Sequence, residues 1–185
     1  RSEERRVGKE CRCRWSPYHD FKILKYNDAK SVEIQFSKTG YRKVVEMKNV
    51  RNGVVKDPYS PSVYGVGILG TKYSISEGGV KTKEYVLWCH MLTRCYSDDF
   101  KKKNQAYEGC KCSENFKSYE YFYEWCNKQI GFGVKGFELD KDLLIKGDKV
   151  YSESTCVFLP AEINLTLIKS TASRGEHLIG VSWSK

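Results

Sequence analysis

The hydrophobic period of this chain changes along its length, and the change restricts it to folds that segregate sheet from helix. Between Asp20 and Gly70 the apolar residues recur at every second position. Val32, Ile34 and Phe36 alternate with Glu33 and Gln35; Phe21, Ile23 and Leu24 form an earlier run, and Val44, Val45, Met47 and Val50 a later one. Alternation buries one face of a strand and leaves the other in water, and Thr39-Gly40 is a turn signal. This part therefore predicts a small antiparallel sheet or partly closed barrel. Asp57-Pro58, Ser60-Pro61 and then Gly65, Gly67 and Gly70 read as a linker or wrapping loop.

Beyond residue 70 the period lengthens. Tyr85, Trp88, Cys89, Leu92 and Cys95 predict an amphipathic helix closing near Tyr96-Ser97. Tyr119, Phe122, Tyr123, Trp125 and Cys126 predict a second, with Ser118 as its cap. Asp98 to Gln105 reads as a solvated loop between them. Gly131, Gly133 and Gly136 end the second helix. Two short apolar runs come next, Phe137-Glu138-Leu139 and Cys156-Val157-Phe158-Leu159, on either side of a polar loop with Gly147-Asp148. A short helix is expected after Pro160, carrying Ile163, Leu165 and Leu167. Strand, long loop, strand and helix make a ββα unit. The fold class is α+β: a small antiparallel β module, an α-helical lead-in and a ββα core.

Over 185 residues, 40% are hydrophobic and 30% charged, which excludes a disordered chain and a membrane protein. No apolar run approaches the ~18–20 residues of a spanning helix. The formal net charge of +9 favours an anionic partner, nucleic acid foremost. Part of the excess sits in the first nineteen residues, RSEERRVGKECRCRWSPYH. They lack any periodicity and resemble the translation of a sequencing adapter, so Arg1–His19 is set aside as an artefact. The remainder keeps 26 basic against 20 acidic side chains. RGEHLIGVSWSK stops inside an expected strand, which predicts a longer natural protein.

The segment FELDKDLLIKGDKVYSESTCVFLPAEIN, Phe137 to Asn164, resembles the core of the HNH (His-Me finger) nucleases, most closely their phage and mobile-intron branch. WCHMLTRCYSDDF from Trp88 and YEGCKCSENFKSYEYFYEW from Tyr107 resemble that branch's lead-in, so the similarity runs from about Lys83 to Leu167. Residues 20–70 resemble a β module found ahead of such phage nucleases. RGEHLIGVSW resembles the opening strand of an ethylene-response-factor DNA-binding domain. The implied organisation is 1–19 artefact, 20–70 β module, 71–169 nuclease domain and 170–185 the start of a C-terminal DNA-binding domain.

The resemblance implies a homing-type endonuclease, hydrolysing or nicking double-stranded DNA with a divalent metal ion such as Mg²⁺, in the cytoplasm of a bacterial or phage-infected cell. Asp140 matches the family's acidic position beside its catalytic His, and Asn164 its last helical metal ligand. Asp142, two residues on, would return to the face of Asp140 as a second oxygen donor. A strand-end turn, or an ion pair with Lys141 or Lys149, would account for the same aspartates. The departures are as informative. Lys141 stands where the family has its general-base His, and Thr155 where it has its middle Asn, leaving Thr155 a structural part.

A lysine acts as a base only if its pKa falls from ~10.4 toward neutrality, and flanking aspartates push the other way. Lys141 is therefore expected to hold a phosphate oxygen. Neither His90, expected as a packed or capping residue of the first helix, nor His177 replaces the missing base in sequence. Three alternatives stay open: Asp140 or Asp142 activates water at the metal, His90 swings in, or the core no longer cuts. In the last case the chain is a non-catalytic DNA-binding protein with a degenerate HNH fold.

Cys89, Cys95, Cys110, Cys112, Cys126 and Cys156 could supply a structural zinc site. Their C-x5-C and C-x-C spacings lack paired CxxC knuckles, so buried reduced thiols are the favoured reading. Asp28 with Glu46-Met47-Lys48 loosely meets the D…ExK layout of restriction-type nucleases; a turn and the solvent face of a strand explain these residues better. Phosphate contacts are expected from Lys101, Lys102 and Lys103 and from Lys38, Arg42, Lys43, Lys48 and Arg51.

Overall fold

The computed structural model describes residues 10–12, 20–145 and 147–167. The rest of Arg1–His19, His177 and the expected C-terminal strand lie outside the described residues. Four antiparallel strands form the first sheet, in the order β1 (Glu10–Arg12), β2 (Asp20–Asp28), β3 (Ser31–Phe36) and β4 (Arg42–Val45). The register sets Phe21 against Phe36, Ile23 against Ile34 and Val32 against Val45, which gathers the alternating apolar residues on one face. Gly40, at φ 72°, turns the chain between β3 and β4, and its N–H donates to the Phe36 carbonyl at 2.9 Å.

The expected third strand does not extend to Val50. Met47–Arg51 is a helical turn, α1, in which Met47 and Val50 are both buried. A spacing of three suits one side of a helix, whereas on a strand it would turn the two residues to opposite faces. This also removes Glu46-Met47-Lys48 from any strand-borne nuclease layout. Asp28 makes a local turn, accepting from the Lys30 N–H at 2.7 Å. Phe21, Ile23, Val32, Ile34, Phe36, Val45, Met47, Val50 and Val55 form the core of this part.

Buried Asp57 joins the sheet to the next stretch of chain. Its carboxylate accepts from the Thr39 hydroxyl at 2.6 Å, the Tyr59 N–H at 2.9 Å and the Ser60 hydroxyl at 3.2 Å. By packing, residues 63–69 belong with the helical core, although the sequence assigned them to the β module: Val63, Val66 and Leu69 all lie against it. Ile68 donates to the Lys117 carbonyl and accepts from the Tyr119 N–H, lacing this strap to the start of a helix. A Cβ at Gly67 would come within 2.7 Å of Leu92 Cδ1 and 2.8 Å of Trp88 Cη2, so only glycine fits.

A short hairpin, β5 (Ser76–Glu77) and β6 (Val80–Lys81), precedes α2 (Lys83–Tyr96), whose N-cap Thr82 accepts from the Tyr85 N–H. The expected loop after α2 is instead α3 (Asp98–Lys103). Ser97 caps it, Asp98 and Asp99 fill its first turn, and Lys101, Lys102 and Lys103 its last, each sign complementing the helix dipole. After β7 (Lys111–Cys112), Ser118 caps α4 (Tyr119–Lys128) as expected, accepting from the Tyr121 N–H. The chain ends in β8 (Phe137–Asp140), β9 (Val150–Tyr151), β10 (Val157–Pro160) and α5 (Ala161–Leu167).

Trp88, Met91, Leu92 and Cys95 of α2, Phe122, Trp125 and Cys126 of α4, and Leu139, Tyr151 and Phe158 share the second core. The protein is thus a mixed α+β chain with small antiparallel sheets, apart from β7 and β9, which pair in parallel. Among the described residues no helix is long and apolar enough to cross a membrane.

Candidate functional site

β8 and β10 pair antiparallel, with Asp140 opposite Val157, Leu139 opposite Phe158 and Glu138 opposite Leu159. Leu139 and Phe158 are buried in the second core. Alternation therefore turns Glu138 and Asp140 to the other face. α5 reaches that face at Glu138, where Asn164 Nδ2 donates to Glu138 Oε2 at 3.2 Å. The Ala161 N–H donates to the Gly136 carbonyl at 2.8 Å, tying the start of α5 to the entry of β8. A strand and a helix so bring two carboxylates and a carboxamide to one side of the hairpin. Glu138 was absent from the sequence-predicted set; its signal was the two-residue spacing to Asp140.

Asp140 also organises the chain that leaves β8. Its Oδ1 accepts from the Asp142 N–H at 2.8 Å and the Leu143 N–H at 2.7 Å. This is the strand-end turn that the sequence reading weighed against a ligand role. It engages one of two oxygens, and an ionised carboxylate offers about four acceptor positions. Asp142 is drawn into an ion pair, its Oδ1 lying 2.5 Å from Lys141 Nζ.

Lys141 differs most from expectation. Its side chain is only 8% exposed and points inward. Nζ donates to Asp142 and, at 2.6 Å, to the Asp148 carbonyl, and lies 5.9 Å from the centre of the Tyr151 ring. An ammonium with these partners must break them to reach a phosphate, so Lys141 closes the β8–β9 loop where the sequence reading had it gripping DNA. Thr155, 2% exposed, holds the same loop from its far end. Its Oγ1 donates to the Val150 carbonyl at 2.7 Å and accepts from the Ser152 N–H at 2.9 Å. β9 lies against β7, where the Ser113 N–H donates to the Tyr151 carbonyl at 2.8 Å.

Lys141→Met keeps the apolar stem but leaves the Asp148 carbonyl without that donor. It is expected to lower stability by about 1–2 kcal/mol in urea unfolding, the ion pair itself being worth little because Asp142 is half exposed. Were the chain to bind duplex DNA, as the resemblance implies, the variant would change that affinity less than about threefold, since it loses a loop closure and no phosphate contact. Parental stability with a tenfold weaker grip on DNA would return Lys141 to the phosphate.

The remaining expected residues are spread over the surface. His90 is exposed on α2, neither packed nor capping. Lys101 is half-buried and Lys102 and Lys103 are exposed, with Lys102 Nζ 3.8 Å from Asp99. Lys38, Arg42 and Lys43 are exposed on the β module. Cys89, Cys95, Cys110, Cys112, Cys126 and Cys156 are free thiols, all but Cys89 buried. Burial raises the Cys95 and Cys126 thiols well above the ordinary range and pushes Cys156 up to about 11. Among the described residues no three His, Cys, Asp or Glu side chains are grouped to hold a metal ion. A cation at Asp140 would therefore depend on the Asn164 amide oxygen as well. Comparison with family models, curated proteins and solved structures returns no match for this chain.

Proposed function

We propose that this chain is a divalent-metal-dependent DNA endonuclease of the HNH type. The observation that supports this is the shared face of β8 and α5, where the Asn164 amide meets Glu138 and Asp140 lies on the same side of the strand. Oxygen donors from a carboxylate and an amide suit a hard cation such as Mg²⁺. Asp140, through the oxygen its turn leaves over, and Asn164 would hold it. When bound, such an ion neutralises charge on the scissile phosphate and the leaving oxygen. Glu138, the exposed carboxylate beside Asn164, is the group left to take a proton from the attacking water, since Lys141 donates in both its hydrogen bonds. Asp142, Lys141 and Thr155 keep the loop beside this face closed.

The second reading, DNA binding without cleavage, is favoured by the same lysine: no imidazole stands at position 141. Nicking of supercoiled plasmid with Mg²⁺ or with EDTA separates the two. The enzyme reading expects metal-dependent relaxation that Asn164→Ala and Glu138→Gln each lower by about a hundredfold, the scale of one positioned acid–base or electrostatic group. Mg²⁺ is also expected to raise the unfolding midpoint of the parent and not of Asn164→Ala. Plasmid that is bound yet stays intact in Mg²⁺ and Mn²⁺ would leave the binding reading standing.

A further inference from the structure

Charge is divided unevenly between the two parts of the molecule. Residues 20–57 carry nine basic and five acidic side chains, whereas residues 58–167 carry fourteen of each. The part that holds the candidate metal site is therefore neutral. Four of its lysines lie beside carboxylates: Lys72 with Glu124, Lys102 with Asp99, Lys117 with Glu114 and Lys141 with Asp142. A unit with no net charge offers little long-range attraction to a duplex that carries one negative charge per ~1.7 Å of axis, leaving the Lys101–Lys103 run of α3 as its local basic patch.

The sheet register concentrates the opposite property on one surface. Lys22, Gln35 and Arg42 are directly paired across β2, β3 and β4, with the acidic position Glu10 of β1 opposite Lys22 in the register; Lys25, the acidic Glu33 and Val44 form the next row. Both rows face away from the core residues Phe21, Ile23, Val32, Ile34 and Phe36, and Lys22, Lys25 and Arg42 are exposed. Each row crosses two interstrand spacings, roughly 9–10 Å, so long side chains on it can span several phosphates. Beside the edge strand β4, a shallow concavity of about 420 Å³ adds Lys30, Lys43 and Lys56, with Glu46 as its acidic member.

We infer that the solvent face of the β2–β4 sheet, with its β4 edge, supplies the electrostatic grip on the phosphate backbone of duplex DNA, while the β8–β10–α5 unit contributes little of it. The inference rests on the nuclease reading for its choice of DNA among polyanions. In this arrangement affinity is sequence-independent and salt-sensitive, and it resides in a different unit from the candidate metal site.

Binding of the full chain to a fluorescein-labelled duplex, followed by anisotropy in EDTA across a NaCl series, tests it without requiring cleavage. Converting Lys22, Lys25 and Arg42 together to Gln is expected to weaken binding on the order of a hundredfold at 0.1 M salt, and to reduce the slope of log K against log[NaCl] by about 2.7. A second triple, Lys30, Lys43 and Lys56 to Gln, is expected to act in the same direction, so misfolding of one set does not decide the matter. Converting Lys83, Lys128 and Lys135 on the helical part, or Lys101, Lys102 and Lys103 on α3, is expected to change the slope by less than about one. Equal losses from the α3 triple, an unchanged slope in both sheet triples, or tighter binding to single-stranded RNA or anionic vesicles than to the duplex would overturn the inference. If the sheet triples behave as expected while plasmid is never nicked, the grip stands and the nuclease reading fails. Metal-dependent nicking with sheet triples that bind normally gives the converse.

Discussion

Asp140→Asn is expected to reduce Mg²⁺-dependent nicking by about a thousandfold or more while leaving the unfolding midpoint nearly unchanged. On the proposed reading two tasks meet in this carboxylate, and the substitution separates them. Oδ1 accepts the Asp142 and Leu143 N–H groups, and an asparagine oxygen does this equally well, since Asn and Asp both favour such turns. The negative charge and the second anionic oxygen are what a divalent cation requires, and an amide lacks both. A thousandfold in rate is about 4 kcal/mol of transition-state stabilisation, within the several kcal/mol a positioned ion supplies. Asp140→Ala removes the turn acceptor as well, and is expected to lose a further ~1–2 kcal/mol of stability in urea unfolding. Full nicking by Asp140→Asn would discharge Asp140 from the metal site and leave it a turn residue alone.

Trp88→Ala is expected to destabilise the protein by about 5 kcal/mol, enough to leave much of a marginally stable domain unfolded in water. Trp88 is wholly buried, with its ring centre 5.5 Å from that of Tyr119 and 6.2 Å from that of Tyr85. Its indole N–H donates to the Phe116 carbonyl at 2.8 Å. Truncating a buried Trp costs about 3–5 kcal/mol, and stranding a buried acceptor adds about 1–3. Trp88→Phe keeps most of the ring and is expected to lose chiefly the second contribution. Circular dichroism across a urea series measures both; a loss below ~1.5 kcal/mol in Trp88→Ala would show that the core repacks around the gap.

Long periodic segments were legible in the sequence for a physical reason: burial of a stripe selects both the residue types and their spacing. α2, α4 and β3 match that expectation, and so does the strand–loop–strand–helix order of 137–167. Short elements escaped it. α3 has no apolar stripe and forms through its Ser97 cap and its divided charges, which a reading of hydrophobicity takes for a loop. α1 was hidden because Met47 and Val50 prolong an apolar run that, up to Val45, is a strand. At the candidate site the residue types were legible and their directions were not. Lys141 and Asp140 are neighbours in sequence, yet one ammonium is enclosed by the loop and one carboxylate accepts from the N–H groups of the turn that follows. Which of two adjacent polar groups turns inward depends on the Asp148 carbonyl and the Tyr151 ring, several positions away.

The strap of residues 63–69 carries one more implication. Glycine-rich and preceded by prolines, it has the composition of a tether between exchangeable modules, yet it threads beneath Trp88 and Leu92 and is laced to Lys117 and Tyr119. A recombination that swapped the leading sheet for another domain could not break there without disturbing the helical half. The tolerable seam lies upstream, around Asp57, so that any inherited shuffling of this architecture would carry the strap along with the helical half as a single heritable block.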